Sequence, residues 1–336
     1  METAPDIPAV RVIVVNYNGG DYLVRCLGAL VQQGGVAWEA VVVDNGSTDG
    51  SLDALPARLR DDPRIRIDEA GANLGFAAAN NRGAVGAKAR WIACLNPDAF
   101  ARPGWLATLV ETAEALDAQM AGSTQVFADT PHLLDGLGDG YHISGLAWRM
   151  GFGAPVEDAP AEPYPVFGPC AAASLYDREL FEAVGGFDER FFCYHEDVDL
   201  SLRLRRAGGA CVQVPGAVVD HVSSGITGRA SDFAVYYGTR NRMWTFVGSM
   251  PGSALVLFGP LHIAMTLAIM AWSLVRPGRA RPTWRGVRDG LRGLPAIWRT
   301  RGEVPREVGL RGLWPHMAVN PLPVLRRARV PARPRP

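Results

Sequence analysis

Two adjacent carboxylates, Glu196 and Asp197, follow an aromatic run and precede an arginine-rich one in the segment Gly185–Gly209, GGFDERFFCYHEDVDLSLRLRRAGG. A carboxylate held beside a substrate hydroxyl can take its proton as the oxygen attacks, which is general base catalysis. The same acids would also suit a helix N-terminus, where free N–H groups and the dipole favour Asp and Glu. The stretch alone leaves both readings open. Val198, Leu200, Leu202 and Leu204 alternate as in a strand, yet acids at the start, Arg203, Arg205 and Arg206 at the end and Gly208 beyond punctuate a helix. The punctuation favours a helix with both faces largely buried.

The elements that must position these acids begin at the N-terminus. Val10–Val15 is a continuous β-branched run, followed by a turn at Asn18-Gly19-Gly20 and a helical pattern from Tyr22 to Gln33. Further strands are expected at Glu39–Val43, Arg64–Ile67 and Trp91–Leu95, with helices at Ala77–Ala89 and from Pro103 to about Ala118. Apolar strands alternating with helices imply a mostly parallel sheet covered by helices on both faces, a Rossmann-like α/β architecture. Ligands of such sheets bind at the carboxyl ends of the strands. Here those ends read Asn16-Tyr17-Asn18, Asp44-Asn45-Gly46 and Asn96-Pro97-Asp98, all polar and turn-forming. Residues 128 to 166 lack periodicity and read as irregular structure around a groove, and the small residues of Gly168–Ala173 permit a close backbone approach.

The net charge of zero hides an asymmetry. From Arg276 onward there are 15 Arg and 3 acidic residues, while the first 275 residues hold 19 basic and 31 acidic ones. An acidic body thus joins a basic tail, which suggests an anionic partner for the tail alone. The five cysteines are odd in number and form no CxxC pair, so they read as buried small residues in a reducing compartment. The opening METAPDIPAV lacks the basic and apolar regions of a signal peptide, which places the catalytic body in the cytoplasm as an expectation.

Several motifs fail. NYNGGDYL contains neither GxGxxG nor the GK[ST] of a P-loop. Asp44–Asp53 has Gly46 and Thr48 where a calcium loop needs acids or amides. His195-Glu196 begins like HExxH, but Asp199 stands where the second histidine would be. These absences argue against a dinucleotide oxidoreductase, a P-loop NTPase, an EF-hand and a zinc protease.

What survives is an ordered set: Val12–Gly20 (VIVVNYNGG), Val41–Ser51 (VVVDNGSTDGS), Asn73–Gly83 (NLGFAAANNRG), Leu95–Ala99 (LNPDA) and the segment Gly185–Gly209. Together these resemble an inverting family 2 glycosyltransferase of the GT-A fold, closest to the bacterial rhamnosyltransferase-like branch, over roughly residues 8 to 250. The resemblance implies a donor side made by Tyr17, Asp44, Asn45, Asn81 and Asn96, with Asp44 on the pyrimidine. It puts Asn96-Pro97-Asp98 in the place of the family's DxD, with Asn96 replacing the first acid. Asp98 is then the direct ligand of Mg²⁺ or Mn²⁺, hard cations suited to oxygen ligands. In similar enzymes a histidine about this far past the acid completes the metal site, which implies His221, 24 residues after Asp197. The pattern assigns the base to Asp197 and leaves Glu196 on the acceptor side. At a helix start the dipole should lower the pKa of Asp197, which would make it a weak base. The implied reaction carries a sugar, rhamnose first, from a dTDP- or UDP-sugar to a hydroxyl of a lipid-linked or cell-envelope glycan. Transfer of another hexose or deoxysugar, or a non-catalytic sugar-nucleotide-binding role, is the alternative.

Residues 1–250 form the catalytic domain in this reading, and 251–336 an apolar, Arg-rich helical extension. Ala254–Val275 is a 22-residue apolar stretch interrupted by Gly259, Pro260 and His262. At about 1.5 Å per residue it could just cross a hydrocarbon core of roughly 30 Å. A simple span would put the basic tail outside, against the positive-inside tendency. Arg-rich, Trp-bearing segments suit attachment to an anionic membrane surface, peripheral on the inner face of the plasma membrane. No nucleic-acid-binding motif accompanies the arginines, so a nucleic-acid partner is not expected.

Overall fold

A computed structural model describes residues 8–223, 231–302, 305 and 307–320. The last part of the basic tail, 321–336, lies outside the described residues. The strands are β1 (Val10–Asn16), β2 (Trp38–Asp44), β3 (Ile65–Glu69), β4 (Trp91–Leu95), β5 (Ala99–Ala101), β6 (Met120–Phe127), β7 (Thr130–Gly136), β8 (Asp139–Tyr141), β9 (Ala147–Arg149), β10 (Tyr164–Pro165), β11 (Ala173–Asp177) and β12 (Cys211–His221). The helices are α1 (Asp21–Leu30), α2 (Ala57–Arg60), α3 (Phe76–Ala84), α4 (Trp105–Ala115), α5 (Arg178–Ala183), α6 (Glu196–Arg206), α7 (Asp232–Ser249), α8 (Gly252–Leu274), α9 (Ala280–Thr300) and α10 (Leu310–Leu313).

The sheet runs β10-β12-β6-β11-β4-β1-β2-β3, with β5 and β7 at its side. β1 to β4 are mutually parallel, β12 is parallel to β6, and β11 runs antiparallel between β4 and β6. Every residue of β1 is buried, as a central strand covered on both faces requires. On one face α1 and α4 insert Leu23, Leu27, Trp105 and Leu109; on the other α3, α5 and α6 insert Ala77, Phe181, Leu200 and Leu204. The fold is GT-A-like, with a helical C-terminal extension.

The stretch 128–166 departs from the expected irregular structure. β7 pairs antiparallel with β6, and β8 pairs with β9 as a hairpin. Strands of three residues such as β8 and β9 are too short to show a period. The small run Gly168–Ala173 does meet a close neighbour. A Cβ at Gly168 would fall 2.2 Å from Ser201 Oγ on α6, so the glycine lets α6 lie against this segment.

The boundary drawn at 250–251 falls inside a shared core. Val198 and Leu202 of α6 pack with Phe246 and Met250, and with Ala254 and Phe258 of α8. Glycines of α9 bring it against α7: a Cβ at Gly286 would lie 2.7 Å from Tyr236 O, and one at Gly293 2.3 Å from Trp244. Among the described residues, α8 is the one helix long and apolar enough to cross a membrane, and most of it is not buried.

Candidate active site

Parallel pairing sets Asn16 beside Asp44, so the turns after β1 and β2 open side by side at the carboxyl edge. A cleft of about 620 Å³ lies there. Tyr17, Asn45, Asn96, Asp98, Glu196, Asp197 and His221 all line it, although their segments are far apart in sequence. Asp44 and Asn81 are not brought to its wall. Asp44 accepts from Asn16 Nδ2 at 2.9 Å and from the Ser47 N–H at 3.1 Å, so its carboxylate shapes the turn that presents Asn45. Asn81 instead ties α3 to the segment before the acids, donating to Phe187 O at 2.8 Å and accepting from Phe187 N–H at 2.9 Å. A hydrogen-bonding amide and a turn acid have the same sequence signature whether they bind a ligand or the backbone.

Asn45 is held from both ends of its amide. It donates to Asn73 Oδ1 at 3.0 Å and accepts from the Leu74 N–H at 2.8 Å. This anchors the NLGF motif, where Gly75 has φ +85° and a Cβ would lie 2.5 Å from the Phe192 ring. The Phe192 carbonyl in turn accepts from Phe76 N–H at 2.6 Å, capping α3. The donor-side motif and the acid-bearing segment are thus one packed unit.

On the metal side, β5 and β12 pair antiparallel and bring His221 opposite Ala99, next to Asp98. His221 Nε2 lies 3.3 Å from Asp98 Oδ1, and both residues are buried. His221 Nδ1 lies 2.6 Å from Asp135 Oδ2. A carboxylate accepts but does not donate, so Nδ1 carries hydrogen and Nε2 is left to face Asp98 and the cleft. Burial opposes charge on this imidazole, but Asp98 and Asp135 outweigh it and raise its pKa to about 9. In the protein alone the imidazolium supplies the positive charge between two acids. A divalent cation would take that place on losing one proton, and the set of one hard oxygen, one imidazole and an outer carboxylate suits it. No group of three or more His, Cys, Asp or Glu among the described residues is arranged to hold a metal. A cation held by Asp98 and His221 would take its remaining ligands from a bound molecule or water.

Sequence reading missed Asp135 and Arg149. Arg149 donates to Asp135 Oδ2 at 2.6 Å and lines the cleft, which puts a fixed cation near the acids. Arg149 and His221 hold the Asp135 carboxyl below its ordinary range despite its burial. Both lie in the strands of 128–166, where no periodic signal marks them.

Glu196 and Asp197 begin α6, as the punctuation indicated. The expected dipole effect on Asp197 is overruled, since burial raises its pKa, with the Ala171 and Val198 N–H groups and Arg149 opposing. Those donors lie 3.3 Å from Oδ2 and 2.8 Å from Oδ1. Glu196 is raised further, first by burial and then by Asp197, and its Oε2 has no hydrogen-bond partner. Two adjacent buried acids cannot both ionise cheaply, so the one with N–H donors keeps the charge. The N–H donors therefore favour charge on Asp197 over Glu196.

The loop before α6 is strained. Phe192, Tyr194 and His195 all have φ of 67°, the left-handed region that non-glycine residues seldom adopt. Asn241 of α7, fully buried, secures it. Its Nδ2 lies 2.9 Å from Phe191 O, 2.9 Å from Cys193 O and 2.7 Å from Tyr194 O. Nothing in the sequence around Asn241 announces this role.

The GT-A-like sheet, with its cleft at the carboxyl edge of the strands, is that of a glycosyltransferase. The chain belongs to Glycosyl transferase family 2, whose profile matches residues 11–185. It is 34% identical over 253 residues to the N-acetylglucosaminyl-diphospho-decaprenol L-rhamnosyltransferase of Mycobacterium tuberculosis, spanning 67% of this chain and 80% of that protein. It is 40% identical over 117 residues to the succinoglycan biosynthesis protein ExoO of Rhizobium meliloti, covering 34% of this chain and 32% of that one. Among solved structures, GalNAc-T7 with UDP, GalNAc and Mn²⁺ matches with a TM-score of 0.60 at 17% identity, over 76% of this chain and 50% of that one. TarS 1-349 of S. aureus matches with a TM-score of 0.55 at 15% identity, over 86% and 82%.

Proposed function

We propose that this enzyme transfers L-rhamnose from a nucleoside diphosphate donor, dTDP- or UDP-linked, to a hydroxyl of a lipid-linked glycan, with inversion at the anomeric carbon. The observation that carries the reading is a single cleft lined by both the Asp98–His221 pair and Asp197. The 34% identity to a rhamnosyltransferase acting on a diphospho-decaprenol acceptor supports the donor sugar and the acceptor class.

Tyr17, Asn45 and Asn96 on the cleft wall bind the nucleotide half. Asp98 and His221 would hold Mg²⁺ or Mn²⁺, which when bound offsets charge on the diphosphate leaving group. Arg149 adds a positive charge that needs no cofactor. Asp197 accepts the proton of the attacking hydroxyl, its raised pKa making it a stronger base than an ordinary aspartate. Protonated Glu196 beside it can donate a hydrogen bond to the acceptor sugar. Aromatic side chains of Phe192, Tyr194, Phe233 and Tyr237 line the same cleft and offer faces for a sugar ring.

The extension suits the inner surface of an anionic membrane, attached peripherally rather than spanning. Val256, Ile263 and Leu267 of α8 are exposed, as are Trp284, Leu291 and Trp298 at seven-residue spacing on α9. Arginines interleave with the α9 stripe, as in interfacial helices. The test of the donor assignment is a panel of nucleotide sugars scored by metal-dependent thermal stabilisation and slow hydrolysis. dTDP- or UDP-rhamnose should lead; a hexose nucleotide that leads instead replaces rhamnose.

A further inference from the structure

Two arginines stand just outside the aromatic wall of the cleft. α7 and α9 run side by side in the same direction: a Cβ at Gly286 would meet Tyr236 O, one at Gly293 the Trp244 ring, and one at Gly248 the side chain of Ile297. The start of α9 therefore lies by the start of α7, where Phe233 and Tyr237 line the cleft that also holds Asp197. Tyr236 packs edge-on against Tyr237, with ring centroids 4.9 Å apart. The Arg240 guanidinium lies 4.6 Å from the centre of the Tyr237 ring and 5.7 Å from that of Tyr236. The Arg285 guanidinium, on α9, lies 5.6 Å from the centre of the Tyr236 ring. One ring thus separates Arg240 from the cleft, and a second ring carries the contact on to Arg285.

Among the described residues neither arginine pairs with a carboxylate. Asp289, the only acid of α9, is engaged elsewhere: it accepts from Tyr236 Oη at 3.1 Å and from Arg288 Nε at 2.8 Å, and Arg292 Nη1 lies 3.5 Å away. Arg285 is exposed and Arg240 half-buried, so an anion can reach them from solvent. Arg240 Nη2 donates to the Arg190 and Phe191 carbonyls at 3.0 and 2.8 Å, which fixes this charge to the loop that precedes α6. Two like charges against one ring repel each other, and an anion between them removes that cost. A guanidinium resting on an aromatic face keeps its edge N–H groups for oxygen acceptors, and its fork matches phosphate.

The position of the pair says which phosphate. Outward from the base come Asp197, the Tyr237 ring, the two arginines and then Trp284, exposed beside Arg285 at the start of the apolar stripe of α9. A sugar carried on a prenyl diphosphate presents hydroxyl, ring, diphosphate and hydrocarbon in the same order. We propose that Arg285 and Arg240 bind the diphosphate of the acceptor lipid at the mouth of the cleft, at a subsite separate from the donor diphosphate at Asp98 and His221. The inference rests on the lipid-linked acceptor of the proposed function.

The test is calorimetric titration of the full-length protein with N-acetylglucosaminyl-diphospho-farnesol and with the farnesyl glycoside that lacks the diphosphate. Both are measured in EDTA without donor, so that no cation draws phosphate to Asp98 and His221. Wild type should bind the diphosphate compound about tenfold or more tightly than the uncharged one, as charge-assisted contacts allow. Arg285→Ala should remove most of that preference and leave affinity for the uncharged glycoside unchanged, while Arg285→Lys retains part of it. Arg240→Gln should also reduce the preference; should loss of its carbonyl contacts impair folding, the exposed Arg285 carries the test alone. Arg299→Ala, which removes the same charge at the far end of α9, should keep the preference in full. Equal binding of the two compounds by wild type, an undiminished preference in Arg285→Ala, or an equal loss in Arg299→Ala would overturn the proposal. So would displacement by glycerophosphoglycerol, which would make this a site for bulk lipid headgroups. Because binding rather than transfer is read, absence of rhamnosyl transfer would defeat the functional reading and leave this result standing.

Discussion

Asp135 Oδ2 lies 2.6 Å from His221 Nδ1, and that contact decides which ring nitrogen meets Asp98. Outer carboxylates of this kind orient a histidine ligand and raise its basicity, and losing one costs about 10- to 100-fold in metal affinity. Asp135→Asn should therefore weaken Mn²⁺ binding by that order in a Mn²⁺ titration of the nucleotide-bound enzyme. Unchanged Mn²⁺ affinity would mean that His221 is not a ligand.

Glu196 gives a pH signature in stability. Its folded pKa lies above the ordinary 4.5 because of burial and the neighbouring Asp197 charge. As pH rises from 4.5 the unfolded chain releases this proton while the folded protein still holds it, so stability falls with rising pH until the folded group ionises. Glu196→Gln removes that cost. The variant should be more stable than wild type at pH 8, and the gain should shrink toward pH 5. Denaturant melts across that range measure it; a constant difference would show that Glu196 does not carry the proton.

Asn241 is the residue that holds the strained turn. Removing its amide takes its donor from the Cys193 and Tyr194 carbonyls and one of several from Phe191 O, and the left-handed residues lose that restraint. Asn241→Ala should lower stability by about 1–3 kcal/mol. It should also lower kcat by about 10- to 100-fold through misplacement of Asp197. Donor affinity, proposed to rest on Tyr17, Asn45 and Asn96, should change little. A loss of donor binding with kcat preserved would place the effect elsewhere.

The membrane reading is best tested without truncation, because α9 packs along α7 and its removal would uncover the core. Replacing Trp284, Leu291 and Trp298 together with Ser takes away an exposed apolar stripe and should leave the melting temperature nearly unchanged. Flotation with vesicles rich in anionic lipid should fall by about tenfold or more, since interfacial binding scales with buried apolar area. Undiminished flotation would remove α9 from the contact.

The sheet was legible because each N-terminal strand is a continuous apolar run ending in a polar turn, a pattern that parallel pairing produces directly. α6 was legible from its ends, even though Val198 to Leu204 alternate, because burial on nearly every side erases the helical period. Asp135 and Arg149 were not legible: they stand on strands of 128–166 that carry no clear apolar–polar alternation. Asn241 was hidden for another reason, since α7 carries aromatic and polar residues on all sides and offers no apolar face to read. Asp44 and Asn81, residues of the right type for a ligand, make protein hydrogen bonds to Asn16 and Ser47 and to Phe187.

If Asp197 is the base for glycosyl transfer, replacing its carboxylate must stop the reaction without loosening the nucleotide. The direct measurement is transfer from dTDP-rhamnose to an N-acetylglucosaminyl-diphospho-prenol by wild type and Asp197→Asn, alongside nucleotide binding by each. The account predicts that the variant loses transfer by about 10²- to 10⁴-fold, the contribution of a positioned base, while nucleotide affinity stays within a few-fold of wild type. Turnover retained near the wild-type rate would contradict it.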